Sequence, residues 1–271
     1  MPVRHDPWPD GTPCWIDAQV EDVTAAADYY TGLFGWEVED AGEAAGHYHL
    51  ARLRGEIVGG LGPQPADMRD GPATWTTYLA ASDVDAAATR VTGAGGQLLM
   101  PPFDVMEQGR LAVATDTSGA VFGLWQAGLR SGITRYSEDG AAVWNELHTH
   151  TYADARAFYA AVFGYRYRDL GDGQTFVYAT IHPAVDAPEI GGIADASVSS
   201  SGPAMDDHWR TWFAADDVDA TTERAVALGG SVQVEPADSP FGRQSVVVGA
   251  QGEVFGLIAT PERNAAAAPS A

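Results

Sequence analysis

The chain has almost no cysteine, few basic residues and no long apolar run. Its one cysteine, Cys14, excludes an internal disulfide framework and any cysteine-rich zinc site, and suits a reducing cytoplasm. No apolar stretch approaches the roughly 20 residues that a membrane helix requires, and residues 1–11 are polar and proline-rich, unlike a secretory signal. Lys and Arg total 15 against 37 Asp and Glu, a formal charge of −22. A field of that sign repels phosphate backbones, which makes nucleic acid and anionic membranes poor candidates as partners. What is present is a 271-residue chain, 45% hydrophobic and with 8 Trp. That length and composition suit a globular protein of two domains, each able to bury a core without disulfides or metal.

The chain repeats itself. WIDAQVEDVTAAADYYTGLFGWEV, from Trp15, lies over WNELHTHTYADARAFYAAVFGYRY, from Trp144, and carries Asp17 onto Glu146, Tyr30 onto Tyr159 and Gly35 onto Gly164 without a gap. A second pair follows: WTTYLAASDVDAAATRVTGAGG from Trp75 and WRTWFAADDVDATTERAVALGG from Trp209. Both continue through a Pro-x-Asp step ending at Asp104 or Asp238, a Gly-Arg pair at Arg110 or Arg243, and VFGL. The chain is an internal duplication, with expected domains at 12–126 and 141–260, a linker at 127–140, and a disordered Ala- and Pro-rich tail at 261–271.

Within each half the pattern predicts two smaller units of one strand, one helix and further strands. Residues 15–20 alternate as a half-buried strand does, Asp22 is a fitting N-cap, and Val23, Ala26, Ala27, Tyr30, Leu33 and Phe34 recur at helical spacing before Gly35. The second unit has a strand at 75–80, a cap at Asp83, a helix from Val84, and strands near 97–100, 111–115 and 121–126. Helices near 152–163 and 218–228 mark the other half. Loops at 62–73 and 195–207 join the units. The fold class is α+β, with four βαβββ modules forming curved mixed sheets around concave pockets.

These residues resemble the vicinal oxygen chelate superfamily of glyoxalases, bleomycin-resistance proteins and extradiol dioxygenases. The carrying features are D-x-x-x-A-x-x-(Y/F)-Y-x-x-(L/V)-F-G-(W/Y) after each first strand and (S/D)-D-V-D-A after each later one, spread from Thr12 to Ala259. The tandem arrangement is similar to an actinobacterial subfamily that includes a mycobacterial culture-filtrate antigen and proteins labelled hydroxylases in antibiotic gene clusters. Metalloenzymes of the superfamily place ligands at positions that correspond here to Trp15, Thr76 and Gly123, and to Trp144, Arg210 and Gly256. Indole, guanidinium and glycine do not ligate a divalent cation, so the expectation is no metal and no cofactor.

With the orientation that the resemblance implies, strand alternation sends Trp15, Asp17, Gln19, Glu21, Thr74, Thr76, Tyr78, Gly123 and Trp125 to one concave face. In the second half it sends Trp144, Glu146, His148, His150, His208, Arg210, Trp212, Gly256 and Ile258. Flat aromatic walls with a few polar handles are how small-molecule pockets are built. Glu146, His148 and Asp17 are the candidate catalytic residues, because a carboxylate beside an imidazole can exchange protons near neutral pH. Trp15, Gln19, Thr76, Tyr78, Trp125, Trp144, His208, Arg210 and Trp212 are the candidate ligand contacts, Arg210 as a planar two-pronged donor.

Plainer readings stand beside these. The tryptophans are favoured as core wedges over ligand-stacking groups, Gly123 and Gly256 serve equally as close-packing positions or as room for a bulky ligand, and the carboxylates as partners of a buried donor such as Arg210 or an indole. Same-face residues on a strand recur about every 6.7 Å, which separates Glu146 from His150 too widely for one shared ion.

Three functions fit. The favoured one is a metal-independent protein that binds a hydrophobic, aromatic small metabolite in secondary metabolism or resistance, as a monomer or homodimer. Its rival is a metal-free tailoring enzyme using the carboxylate-His pair. A metal-dependent glyoxalase or dioxygenase ranks last for want of ligands.

Overall fold

A computed structural model describes residues 3–65, 73–198 and 205–259. The expected loops at 62–73 and 195–207 lie partly outside the described residues, and the tail at 261–271 wholly so. The first half contains β1 (Pro13–Val20), α1 (Val23–Phe34), β2 (Glu37–Asp40), β3 (His49–Leu53), β4 (Glu56–Pro63), β5 (Thr74–Ala80), α2 (Val84–Gly93), β6 (Gln97–Val105), β7 (Gly109–Thr115) and β8 (Val121–Ala127). The second repeats this order as β9 (Ala142–Thr149), α3 (Tyr152–Phe163), β10 (Arg166–Asp169), β11 (Tyr178–His182), β12 (Gly191–Asp195), β13 (His208–Ala214), α4 (Val218–Ala227), β14 (Ser231–Ser239), β15 (Gly242–Val248) and β16 (Val254–Ala259). No described helix is long and apolar enough to cross a membrane.

Local chemistry sets the helix limits. Asp22, Asp83 and Asp217 each accept the backbone N–H three residues on, which caps α1, α2 and α4. Gly35 (φ 70°) and Gly164 (φ 75°) end α1 and α3 in the left-handed region, where a side chain is disfavoured. β2 and β10 escape the alternation rule because they are short, polar edge strands with most residues exposed.

Each half forms one eight-stranded open sheet, ordered β2-β3-β4-β1-β5-β8-β7-β6 and β10-β11-β12-β9-β13-β16-β15-β14. The two modules of a half meet at an antiparallel seam, β1 with β5 and β9 with β13. Modules therefore pair within a half.

The hydrophobic cores, by contrast, are shared between halves. One joins Tyr30, Leu33, Trp36 and Trp75 to Phe213, Val218, Phe255 and Leu257. The other joins Val84, Val91, Phe122 and Leu124 to Phe158, Tyr159, Ile193 and Trp209. The first module is thus covered by the fourth and the second by the third, with the helices between the sheets. Tyr30 Oη crosses the boundary to donate to Glu253 Oε1 at 2.7 Å and accepts the Trp75 indole N–H at 3.0 Å. Near the centre, Thr77 and Thr211 both donate to Asn145 Oδ1, at 3.0 and 2.9 Å. The connection at 127–140 is itself pinned: Ile133 N–H bonds the Cys14 carbonyl, and the Trp36 indole donates to the Gly140 carbonyl at 2.8 Å.

The repeated Pro-x-Asp, Gly-Arg and Asp-Val-Asp elements converge on one device. Arg110 pairs with Asp85 and Asp104, and Arg243 with Asp219 and Asp238, each tying a β-hairpin to the helix outside it. These pairs are exposed and worth little in energy.

Two outcomes follow. Because both cores contain residues of both halves, urea unfolding followed by tryptophan fluorescence and by far-UV circular dichroism is expected to give one coincident transition; two separated transitions would contradict shared cores. Tyr30→Phe strips Trp75 and Glu253 of a buried partner and is expected to lower stability by about 1–3 kcal/mol at unchanged m-value.

Candidate functional site

The two concave faces are built alike up to a point. In the first half the Trp15 indole donates to Tyr48 Oη at 3.1 Å, and Tyr48 and Tyr78 both donate to Asp17, at 3.0 and 3.1 Å. In the second, the Trp144 indole donates to Tyr178 Oη at 2.9 Å, Tyr178 donates to Glu146 Oε2 at 2.9 Å, and His148 Nε2 lies 2.8 Å from Glu146 Oε1. Glycines make this geometry possible. A Cβ on Gly60 or Gly192 would stand 1.9 or 1.8 Å from the Tyr48 or Tyr178 hydroxyl, and one on Gly123 or Gly256 would stand 1.9 or 2.1 Å from the ring of Tyr78 or Trp212. These backbones are bare so that aromatic rings can lie flat on the sheet. At Gly123 and Gly256 the expected close packing of backbone against an aromatic ring is what is observed.

Beyond this shared pattern the halves diverge. In the first, Trp125 stacks on Trp15 with ring centroids 6.4 Å apart, and Arg130 lies over the other indole with its Cζ 5.4 Å from the Trp15 ring. Trp15, Asp17, Thr76, Tyr78 and Trp125 are all buried. On the first concave face these side chains are covered by one another and by Arg130. Ile258 takes the place of Trp125 in the second half, and there a cavity of about 860 Å³ opens.

Trp144, Tyr178 and Trp212 wall the cavity, Phe176 and Phe241 stand half-exposed at its mouth, and Glu146, His148, His208 and Arg210 gather on its sheet face. Every second-half candidate from the sequence lines it. Of the first-half candidates, Asp17, Trp15, Gln19, Thr76, Tyr78 and Trp125, none does. Tyrosine hydroxyls and a histidine make the close hydrogen bonds to the carboxylates, while Arg210 by its charge and the Trp15 and Trp212 indoles add to their stabilisation. The Trp212 N–H makes no close hydrogen bond but helps to hold Glu146 ionised. His150 lines the same cavity, but its Nδ1 pairs with Asp207, which also accepts from Thr149.

Sequence reasoning missed Tyr178, the hinge of the Trp144–Tyr178–Glu146 chain, and the mouth residues Phe176 and Phe241. A signal for Tyr178 did exist, since a tyrosine followed by a Gly-Gly pair occurs in both halves, at Tyr48 with Gly59-Gly60 and at Tyr178 with Gly191-Gly192.

Charge separates the two carboxyls. Burial raises Asp17 from the ordinary 3.8 to about 6, only partly offset by the hydrogen bonds from Tyr48 and Tyr78. Burial acts in the same direction on Glu146, but His148 and Arg210 outweigh it and bring that carboxyl down to about 2. His208 falls to about 3, through burial and then the nearby Arg210 and His148. It is therefore neutral near pH 7, with Nδ1–H donating to the Asp206 carbonyl at 2.7 Å and Nε2 accepting from Arg210 at 3.2 Å. The His148 and His208 rings stack 5.2 Å apart at 7°. Because Glu146 is ionised it accepts from His148 Nε2–H, and Nδ1 is the ring nitrogen that Glu146 does not engage.

A model of the glyoxalase/bleomycin resistance protein/dioxygenase superfamily matches residues 14–124 and 135–265. The chain is 40% identical over 264 residues to "Putative glyoxylase CFP32" of Mycobacterium tuberculosis (strain CDC 1551 / Oshkosh), covering 95% of this chain and 98% of that protein. It is 38% identical over 276 residues to "Anthracycline biosynthesis protein DnrV" of Streptomyces peucetius, covering 96% and 98%. The Mn(II)-bound glyoxalase from Novosphingobium aromaticivorans shares the fold, with a TM-score of 0.62 at 18% identity over 93% of this chain and 83% of that one.

The raised Asp17 carboxyl yields a pH test. A group whose folded pKa exceeds its unfolded value contributes stability that is full below the unfolded value, about 3.8 here, and is lost as pH rises through the folded value, about 6. Asp17→Asn removes the titration but can keep accepting from a tyrosine hydroxyl. Urea denaturation near pH 4 and pH 7 is expected to show the variant gaining about 2 kcal/mol on the native chain over that interval. A stability difference that does not change with pH would mean that Asp17 ionises normally.

Proposed function

The chain belongs to the glyoxalase/bleomycin resistance protein/dioxygenase superfamily, and on that premise we propose that its second half binds a hydrophobic, aromatic small metabolite without a divalent metal while its first half serves as a scaffold. The observation that carries this reading is the asymmetry of the two concave faces: in one the aromatic and carboxylate side chains are buried, and the other holds a cavity of about 860 Å³ walled by Trp144, Tyr178 and Trp212, with one polar cluster on its sheet face. Flat apolar walls with few polar groups suit a planar aromatic body. The relative named for anthracycline biosynthesis supports a ligand of this shape, since anthracyclines carry a flat, fused ring system.

The donor set argues against a metal here. The three positions used by the superfamily's metalloenzymes hold Trp144, Arg210 and Gly256, and the space into which a side chain at Gly256 would project is taken by the Trp212 ring. Among the described residues no group of three or more His, Cys, Asp or Glu side chains is placed to hold an ion. A cytoplasmic location and a small-molecule partner fit the acidic, cysteine-poor chain.

A second reading, metal-free proton-transfer chemistry on the bound ligand, is favoured by the Glu146–His148 pair. His148 Nδ1 would accept a proton from an acidic O–H or C–H of the ligand, and Glu146, held 2.8 Å from Nε2, would stabilise the imidazolium so formed. Glu146 would act as the positioning residue.

The test is titration with a hydroxyanthraquinone, followed by quenching of tryptophan fluorescence. The expected result is one saturable site per chain, unchanged by EDTA, with Trp144→Ala and Phe241→Ala each weakening binding about tenfold, which is about 1.4 kcal/mol. Binding that requires added Mn²⁺, or that survives both substitutions unaltered, would overturn the proposal. His148→Gln separates the readings: retained binding with loss of any turnover marks an enzyme, and retained binding with no turnover in either protein marks a binder.

A further inference from the structure

Arg210 stands at a position where the superfamily's metalloenzymes carry a metal ligand. It lies on β13 directly across the seam from Glu146 on β9. Its first-half counterpart is Thr76, which faces Asp17 in the same register and is buried. At this register position the second half, where the cavity lies, carries a cation and the first half a threonine.

The guanidinium is poorly matched by its surroundings. Nη2 donates to His208 Nε2 at 3.2 Å and makes a weak 3.8 Å contact with the Met205 sulfur, and Nε has no partner among the described residues. The arginines of the outer surface behave differently, as Arg110 and Arg243 each hold two carboxylates. Glu146, the carboxylate across the seam, is engaged at both oxygens, by His148 on Oε1 and Tyr178 on Oε2. His208 cannot serve as a competing acid, because its Nε2 is already an acceptor. Burial lowers the Arg210 pKa, and Glu146 offsets this only in part. A desolvated cation with open donors gains from any anion that enters.

We propose that Arg210 replaces the divalent cation of this fold as the electropositive centre of the cavity, and that its planar fork receives two coplanar oxygens of the ligand. The ligand class is an aromatic body bearing a delocalised oxyanion, either a carboxylate or an ionised hydroxyl beside a second oxygen. Geometry supports this class: the fork offers two parallel N–H groups in one plane, and Trp144, Tyr178 and Trp212 line the same cavity to stack the rings. The assignment rests on the aromatic-pocket reading and sharpens it.

Matched probes test it. Anthraquinone-2-carboxylate is compared with anthraquinone, and 1,2-dihydroxyanthraquinone with its dimethyl ether, on the native chain and on Arg210→Gln and Arg210→Lys. The native chain is expected to favour at least one oxyanion over its blocked partner by tenfold or more, and the preferred pair tells carboxylate from phenolate. Arg210→Gln should reduce that preference to within about twofold while binding the blocked probe as before, and Arg210→Lys should keep only part of it. A native preference below twofold, or one that survives in Arg210→Gln, overturns the proposal. So does an equal weakening of both members of a pair, which would make Arg210 structural. If anthraquinone and the dimethyl ether also fail to bind the native chain, the aromatic-pocket reading falls first and this assignment falls with it.

Discussion

Each sheet carries its helices on one face, and neither sheet can cover them alone. Tyr30, Leu33 and Trp36 of the first module need Phe213, Phe255 and Leu257 of the fourth, and Phe122 and Leu124 of the second need Phe158 and Tyr159 of the third. Burial of such side chains contributes on the order of 1.5–3 kcal/mol each, so the mutual covering is the main constraint on the molecule. It fixes the sheets back to back, and their concave faces therefore point outward. A concave face that carries none of the burden of joining the halves is free to be packed or to be hollow.

The two faces have used that freedom differently. Both retain an indole, a tyrosine and a carboxylate in hydrogen-bonded series, laid over glycines that let the rings lie flat. The first adds Trp125 and Arg130 and closes; the second has Ile258 at the matching place and stays open. The carboxyls follow suit. Asp17, sealed beneath two phenols, is pushed towards its neutral form, whereas Glu146, beside His148 and Arg210, is held ionised. A shared carboxylate position has become a buried anchor in one half and part of a charged cluster in the other.

Much of this was legible in the residues. The duplication, the four modules, the caps at Asp22 and Asp83 and the alternation that brings Glu146, His148, His208 and Arg210 to one face all follow from local periodicity, which a single chain displays directly. The pairing of cores did not, because helical spacing at Tyr30 and Phe34 shows that a face is buried but not what covers it. The polar edge strands Glu37–Asp40 and Arg166–Asp169 carry no alternation to read. Asp17 and Glu146 look equivalent by position. What separates them is the volume of side chains elsewhere in the sequence, Trp125 and Arg130 against Ile258, and such long-range filling leaves no local pattern.

The nesting of the cores also orders the molecule in time. One core draws on residues between Leu79 and Trp209, whereas the other reaches from Cys14 to Ala259. During synthesis from the N terminus the inner pair of modules can close while the outer core still lacks Phe255 and Leu257. The first module, made earliest, must wait for the last strands with its aromatic residues uncovered. The duplication that leaves one concave face hollow thus makes the opening segment of the chain the last to be sheltered from water.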